Sequence, residues 1–114
     1  MFDDHRLVSC RLEQMPLLSS TGLIIHASAA GHHGAELPWP MIQLDKPPAC
    51  YDLSYGAAAQ PFVRWAETCH SKAHTGLGML VGQASESFQL WTGQSVSDRL
   101  REHTLVKLNA DLSQ

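Results

Sequence analysis

Apolar and polar residues change their spacing along the chain near Tyr55. Before this residue, short apolar runs are interrupted by Pro, Gly and Ser, whereas after it apolar residues recur three or four positions apart. The first spacing is typical of short strands and loops, and the second is typical of amphipathic helices. The pattern therefore predicts strands in the first half of the chain and helices in the second half.

The first half contains one clear strand signal, at Leu23–His26. This β-branched apolar run follows the turn-forming cluster at residues 19–22. Residues 6–15 alternate as a strand would, although they also fit a helix that ends before Pro16, and we prefer the strand. The two segments would pair as an antiparallel hairpin, and residues 41–45 are a candidate third strand.

The second half predicts a pair of helices joined by a short link. Pro61 suits the first turn of a helix, and the apolar spacing continues this helix to Ala73. Thr75 can cap the next helix, and Gly93 supplies its C-terminal stop. Because short links favour antiparallel neighbours, we expect a helical hairpin.

A third helix completes the predicted fold. Ser95 and Asp98 have the spacing of a capping box that would open it. We therefore expect a single α+β domain over residues 1–114, in which two or three short antiparallel strands are packed by the helical hairpin and the third helix. If residues 6–15 are helical, the alternative is a mostly α fold.

Composition and charge narrow the function classes. The net charge is −3 and the eight Lys and Arg residues are scattered, so a nucleic acid partner is not expected. The sequence shows no signal peptide and no apolar stretch long enough to cross a bilayer, so no membrane partner is expected. The odd set of Cys10, Cys50 and Cys69 argues against a disulfide framework and indicates a reducing, cytoplasmic location.

Two groups of residues are candidates for chemistry. His70 and His74 are four residues apart on the predicted first helix, so both imidazoles could bind one Zn²⁺. Cys50 follows two prolines in a predicted loop, where it could act as the nucleophile of a cysteine hydrolase. Neither pattern has the spacing of a known motif, and Val81 occupies a position where a dinucleotide fingerprint needs Gly.

Small and aromatic residues suggest contact surfaces instead. Gly78 and Gly82 share one face of the predicted second helix, where another backbone could approach closely, and an internal contact is preferred over a second copy of the chain. Trp39 lies between two prolines and is a candidate partner-binding residue, or it folds back over the core. Trp65 is expected to be half-exposed at the edge of its helix and to bind the same partner.

Together these patterns predict a small cytoplasmic protein–protein interaction module. It would act as an adaptor, an inhibitor or a subunit of a larger assembly, with no catalytic activity and no cofactor. The expected partner is another protein, and a homo-oligomer is possible on the same surfaces. The alternatives are a zinc-binding protein that uses His70 and His74, and a hydrolase that uses Cys50.

Overall fold

The structure, a computed structural model, describes residues 4–17, 20–35, 37–42 and 45–113. Its strands and α-helices lie mostly in the second half of the chain. In chain order they are β1 (Leu23–His26), β2 (Ala49–Asp52), α1 (Gln60–Thr68), β3 (Ala73–His74), α2 (Leu77–Thr92) and α3 (Asp98–Leu112). Short 3₁₀ helices are found at Leu12–Leu17, Ala30–His33 and Gly56–Ala59.

The three strands form a parallel sheet in the order β1-β2-β3. The predicted strand at Leu23–His26 is confirmed, but the predicted antiparallel pairing is wrong. Parallel neighbours need a long crossover between them, and the chain provides one through residues 27–48 and another through α1. The segment from β2 through α1 to β3 is therefore a β-α-β unit, and the fold is mixed α/β with parallel strands.

The predicted first helix is too long at its C-terminal end. It ends at Thr68, and His70 has a φ of 56°, in the left-handed region that stops a helix. The chain then turns so that Ala73 pairs with Cys50 in the sheet. Because β3 lies between α1 and α2 in the chain, the predicted hairpin of these two helices is wrong.

The other two helices agree with the pattern except at their first residues. Gly93 ends α2 with a φ of 70°, as predicted. Gly76 occupies the N-cap position of α2, which has no side-chain cap, so the predicted cap at Thr75 is wrong. Ser97, rather than Ser95, caps α3 by accepting a hydrogen bond from the Leu100 N–H.

The structure differs from the predictions for residues 6–15 and for the described part of residues 41–45. Within residues 6–15 the structure shows no strand, and only the 3₁₀ helix at Leu12–Leu17 begins there, so neither the strand nor the α-helix is found. The candidate strand at residues 41–45 includes residues 43 and 44, which lie outside the described residues. The parts of it that are described are not in a strand.

The core lies between the sheet and α1. Ile42, Cys50, Phe62, Trp65 and Ala66 form one buried cluster, and Trp39 is among the half-buried residues that pack against it. Helices α2 and α3 pack against each other at the other end of the chain. Within the described residues, no helix is both long enough and apolar enough to cross a membrane.

Candidate functional site

Polar side chains are concentrated where the parallel strands end. His26 is the last residue of β1, Asp52 is the last residue of β2, and the two are direct neighbours in the strand register. His74 ends β3, and its ring stacks on that of Tyr51, with the ring centres 6.5 Å apart. In open parallel sheets, ligands bind outside the carboxyl ends of the strands. This edge is therefore the candidate functional site.

The centre of the site is a buried contact between an imidazole and a carboxylate. His26 Nδ1 lies 3.0 Å from Asp52 Oδ2, and the two side chains are 7% and 0% exposed. The approach is close, although it lies outside hydrogen-bond geometry, so neither atom has a hydrogen-bond partner among the described residues. The other carboxylate oxygen, Asp52 Oδ1, accepts the Ser54 N–H at 2.8 Å. The carboxylate is thus fixed beside the imidazole by the backbone of the loop that follows β2.

The opposite side of the same imidazole contacts a serine hydroxyl. His26 Nε2 lies 2.6 Å from Ser28 Oγ, and Ser28 is exposed. The Ala30 N–H also donates to Ser28 Oγ, at 3.4 Å. A continuous set of polar atoms therefore runs from the buried Asp52 carboxylate through His26 to an exposed hydroxyl.

A second branch connects this edge to the 3₁₀ helix at Ala30–His33. The Ser54 hydroxyl lies 3.4 Å from His32 Nε2, and Ser54 is buried whereas His32 is exposed. The Ser54 carbonyl accepts the Gly76 N–H at 2.8 Å, which joins the loop after β2 to the start of α2. The site is therefore connected to two further parts of the chain by hydrogen bonds.

Two glycines allow the backbone to pack closely around this edge. A Cβ atom added at Gly31 would lie 1.9 Å from the Ala58 carbonyl oxygen, and one added at Gly76 would lie 2.1 Å from the Leu53 carbonyl oxygen. Real Cβ atoms essentially never approach backbone atoms so closely. The loops that surround His26 and Asp52 can therefore adopt this arrangement only with glycine at both positions.

Aromatic rings hold the His26 imidazole in place. It stacks on Phe62 and meets the edge of Trp39, with ring centres 5.1 Å apart in both cases. Trp39 also stacks on Trp65 at 4.9 Å, so it folds back over the core, in agreement with the second of its two interpretations. Trp65 is 7% exposed and donates to the Pro40 carbonyl, so the prediction that it is half-exposed is wrong. Both proposed partner-binding residues are packing residues of the core.

The predicted zinc ligands are not arranged on a helix. His70 lies in the turn after α1 and His74 lies in β3, so the two imidazoles are not one helical turn apart. The part of the chain that the structure describes contains no group of three or more His, Cys, Asp and Glu residues that could bind a metal ion. The geometry on which the zinc prediction rested is therefore wrong.

Cys50 is a buried residue of the sheet rather than an exposed loop nucleophile. It lies in β2, is 0% exposed, and is a free thiol. Burial raises the pKa of the Cys50 thiol. Because the thiolate is the nucleophilic form, a buried thiol with a raised pKa is poorly suited to catalysis.

The small-residue face of α2 does not make the close internal contact that was predicted. A Cβ added at Gly78 or Gly82 would meet no described atom within 4 Å. Instead, α2 and α3 enclose an open apolar groove of about 770 Å³. Residues that line this groove include Leu80, Ala84 and Phe88 from α2 and Leu100, Thr104 and Leu108 from α3.

Sequence reasoning missed the central residues of the site. The sequence pattern predicts His26 only as a strand residue, and it predicts a loop for the segment of Cys50 and Asp52 because that segment follows two prolines. The available signal was a polar residue at the end of each apolar segment. That signal becomes informative only when the strands are parallel, since their carboxyl ends then meet at one edge.

Comparison with known proteins points to an enzyme. Residues 76–98, which include all of α2, match the family model described as the shikimate 5'-dehydrogenase C-terminal domain. A shikimate dehydrogenase (NADP(+)) of Xanthomonas campestris pv. campestris (strain B100) is 40% identical over 114 aligned residues, which cover 93% of this chain and 40% of the relative. The chain is similar to part of a dehydrogenase.

Other relatives with the same name agree. The protein of Verminephrobacter eiseniae (strain EF01-2) is 44% identical over 88 residues, which cover 77% of this chain and 30% of the relative. The protein of Acidovorax ebreus (strain TPSY) is 46% identical over 71 residues, which cover 62% of this chain and 25% of the relative. The chain thus spans between a quarter and two fifths of the length of these curated relatives.

These similarities overturn the function predicted from the sequence. A non-catalytic adaptor or inhibitor is wrong, because the chain is similar over most of its length to part of an enzyme. The zinc-binding and cysteine hydrolase alternatives are wrong for the same reason, and the buried Cys50 argues independently against the second. The expectation that no cofactor is used conflicts with the names of the relatives, which include NADP(+).

Proposed function

We propose that this chain forms part of an NADP-dependent dehydrogenase that acts on shikimate. The observation that carries the proposal is 40% identity to such an enzyme in an alignment that covers 93% of the chain. The chain would supply the segment from β1 to α3, and the rest of the active enzyme would come from the region that the relatives contain beyond the match. We also propose the cytoplasmic location that was predicted from the cysteines. The three thiols are free in the structure, which supports it.

The carboxyl edge of the sheet supports the proposal. Parallel strands with polar residues at their carboxyl ends are the arrangement in which open α/β sheets bind ligands. Ser28 and His32 are exposed there, and both are hydrogen-bonded to buried groups of the same edge. Exposed polar groups of this kind suit a ligand that carries several hydroxyl groups.

The polar groups at this edge fit the ribose and carboxamide of a dinucleotide better than they fit its phosphates. The hydrogen-bond partners described at this edge are hydroxyl, imidazole and carboxylate groups, which suit ribose hydroxyls or a carboxamide. Phosphates are more often bound by cations or by a glycine-rich turn, and Val81 departs from the fingerprint of such a turn. We therefore expect Ser28 and His32 to contact the ribose or the carboxamide of a bound cofactor. The cofactor would supply the chemistry of hydride transfer.

The groove between α2 and α3 supports the proposal in a different way. No side chain of α3, a helix that the structure describes in full, is buried. Phe88 and Leu100, which line the groove, are 43% and 53% exposed. An open apolar groove of this size marks a surface that another part of a protein covers. In a complete dehydrogenase, we expect the rest of the polypeptide to cover it.

A chimera tests this function directly. The region of the Xanthomonas campestris enzyme that matches this chain is replaced by the chain itself, and the purified chimera is assayed for reduction of NADP⁺ in the presence of shikimate. We expect NADPH to form only when shikimate is present. The intact relative is the positive control, and the relative with the matched region deleted is the negative control.

The result that would overturn the proposal is specific. A chimera that is folded by circular dichroism, and binds NADPH as tightly as the intact relative, should also oxidise shikimate. If it does not, this chain cannot serve as that part of the enzyme. If the chimera oxidises a different hydroxy acid, the proposal of a dehydrogenase stands and the proposal that its substrate is shikimate is wrong.

A further inference from the structure

We propose that a second cavity, between the start of α1, the start of α2 and the end of α3, binds a neutral polyhydroxylated ring of monosaccharide size. The cavity has a volume of about 460 Å³, and ligand pockets in proteins usually measure about 300–1,000 Å³. It shares no lining residue with the groove between α2 and α3. None of its residues belongs to the carboxyl edge of the sheet, so this site does not depend on the proposed dehydrogenase.

Polar side chains from three separate parts of the chain line the cavity. Gln60 is the first residue of α1, Thr75 lies between β3 and α2, and Asn109 lies in the last turn of α3. The side chains of these three residues make no hydrogen bond to any other part of the chain that the structure describes. Each amide or hydroxyl therefore keeps its full capacity to donate to a ligand and to accept from it.

The charge of the lining favours a neutral ligand. Among the described residues, no Asp, Glu, Lys, Arg or His side chain lines the cavity. Helix α3 ends at the cavity, where Asn109, Leu112 and Ser113 line it, and a helix carries partial negative charge at its C-terminal end. An anion would meet this end without a cation to balance its charge, whereas a hydroxyl group can donate to it. A ligand rich in hydroxyl groups therefore fits better than an anion.

Two leucines add apolar surface to the same cavity. Leu77 is 3% exposed and Leu112 is 45% exposed. The Leu112 side chain packs against Gly56, where an added Cβ would lie 3.3 Å from Leu112 Cδ2. A cyclic polyol has C–H groups on the faces of its ring and hydroxyl groups around its edge. Its faces can pack on the leucines while its hydroxyl groups bind the amides and the threonine.

An NMR titration of the ¹⁵N-labelled chain of 114 residues tests this site. D-Glucose is the probe, and D-glucuronate, the same ring with a carboxylate, is its anionic counterpart. We expect glucose to shift the amide signals of Thr75, Leu77 and residues 109–113 to saturation, with a Kd on the order of 1–10 mM for a ligand of this size. Glucuronate should bind about two- to fivefold more weakly because of the helix dipole. The amide signal of Ala30, at the carboxyl edge of the sheet, should not move.

Two substitutions identify the side chains that bind the sugar. Thr75→Val removes a hydroxyl and keeps the shape of the side chain, and Gln60→Ala removes an amide. Each deletes one hydrogen bond to the ligand, so the Kd for glucose should rise about two- to tenfold. Gln89→Ala is the matched control for Gln60→Ala, because Gln89 is also exposed on a helix and does not line the cavity. This control should leave the Kd unchanged.

Three results would contradict the proposal. The first is that glucose gives no saturable shift at the cavity up to about ten times the expected Kd, including the case in which only signals at the carboxyl edge move. The second is that glucuronate binds as tightly as glucose. The third is that Thr75→Val and Gln60→Ala leave the Kd unchanged. If Thr75→Val does not fold, Asn109→Ala replaces it, because the Asn109 side chain is exposed and lies outside the core.

Discussion

Two glycines at the start of α2 have opposite surroundings, although they are only two positions apart. A Cβ added at Gly76 would lie 2.1 Å from the Leu53 carbonyl oxygen, whereas one added at Gly78 would meet no described atom within 4 Å. We therefore expect Gly76→Ala to lower the free energy of unfolding by about 1–3 kcal/mol, because the backbone must shift to relieve the overlap. Chemical denaturation of the purified variants measures this change.

Gly78→Ala is the matched control for that substitution. Gly78 lies inside α2 with open space around it, so alanine should raise the free energy of unfolding by about 0.5–1 kcal/mol through its better helix propensity. Opposite signs at the two positions are the expected result. If Gly76→Ala also stabilises the chain, the loop after β2 does not pack against α2 as described.

Cys50 predicts how stability changes at alkaline pH. Burial raises its pKa in the folded chain, whereas an unfolded thiol titrates near about 8.5. Above that value the unfolded chain releases the proton first, so this contribution to stability is present below about pH 8.5 and is lost as the pH rises through the folded pKa. Unfolding midpoints measured from neutral pH upward should fall less steeply in Cys50→Ala than in the unmodified chain.

Cys10 provides the control for this pH dependence. It is an exposed free thiol, so Cys10→Ala should leave the slope of stability against pH unchanged. A slope that is identical in the unmodified chain and in both variants would mean that burial of Cys50 does not govern the alkaline loss of stability.

At the scale of single elements, the start of α3 shows how sensitive a cap is to position. The Ser97 hydroxyl accepts the Leu100 N–H at 3.3 Å, whereas Ser95 lies two residues before the cap. We expect Ser97→Ala to lower the free energy of unfolding by about 1 kcal/mol and Ser95→Ala to change it by less than about 0.5 kcal/mol. Thermal or urea unfolding of the two variants distinguishes the residues. A larger loss for Ser95→Ala would place the cap where the sequence pattern suggested.

The elements differ in how well the sequence predicted them, for a physical reason. The long helix α2 repeats its apolar spacing over several turns and ends at a glycine, so its existence and its C-terminal end could be predicted from local pattern alone. Strands β2 and β3 have four and two residues, too few to show a period, and they form because they pair with each other and with β1. Strand direction depends on the crossovers, which apolar spacing does not encode.

At the scale of the whole molecule, the candidate site is a product of that pairing. His26 and Asp52 are distant in sequence and become neighbours only when β1 and β2 align in parallel register. The interaction-module hypothesis failed for the same reason, since the polar residues that could do chemistry looked unrelated along the chain. The metal hypothesis instead relied on His70 and His74, which do not lie on one helix. The hydrolase hypothesis relied on Cys50, which is buried.

The open groove between α2 and α3 leads to a prediction for the complete enzyme. If the rest of the dehydrogenase covers this groove, Phe88→Ser should destabilise the chimera by about 1–2 kcal/mol more than it destabilises the chain alone, because the half-exposed ring becomes buried. Leu90→Ser is the control, since Leu90 is 85% exposed and lies outside the groove lining, so its effect should be the same in both proteins. Denaturation of the four variants gives both differences. An equal effect of Phe88→Ser in the two proteins would mean that the groove stays open in the enzyme, and a larger effect of Leu90→Ser would mean that a different surface of α2 is covered.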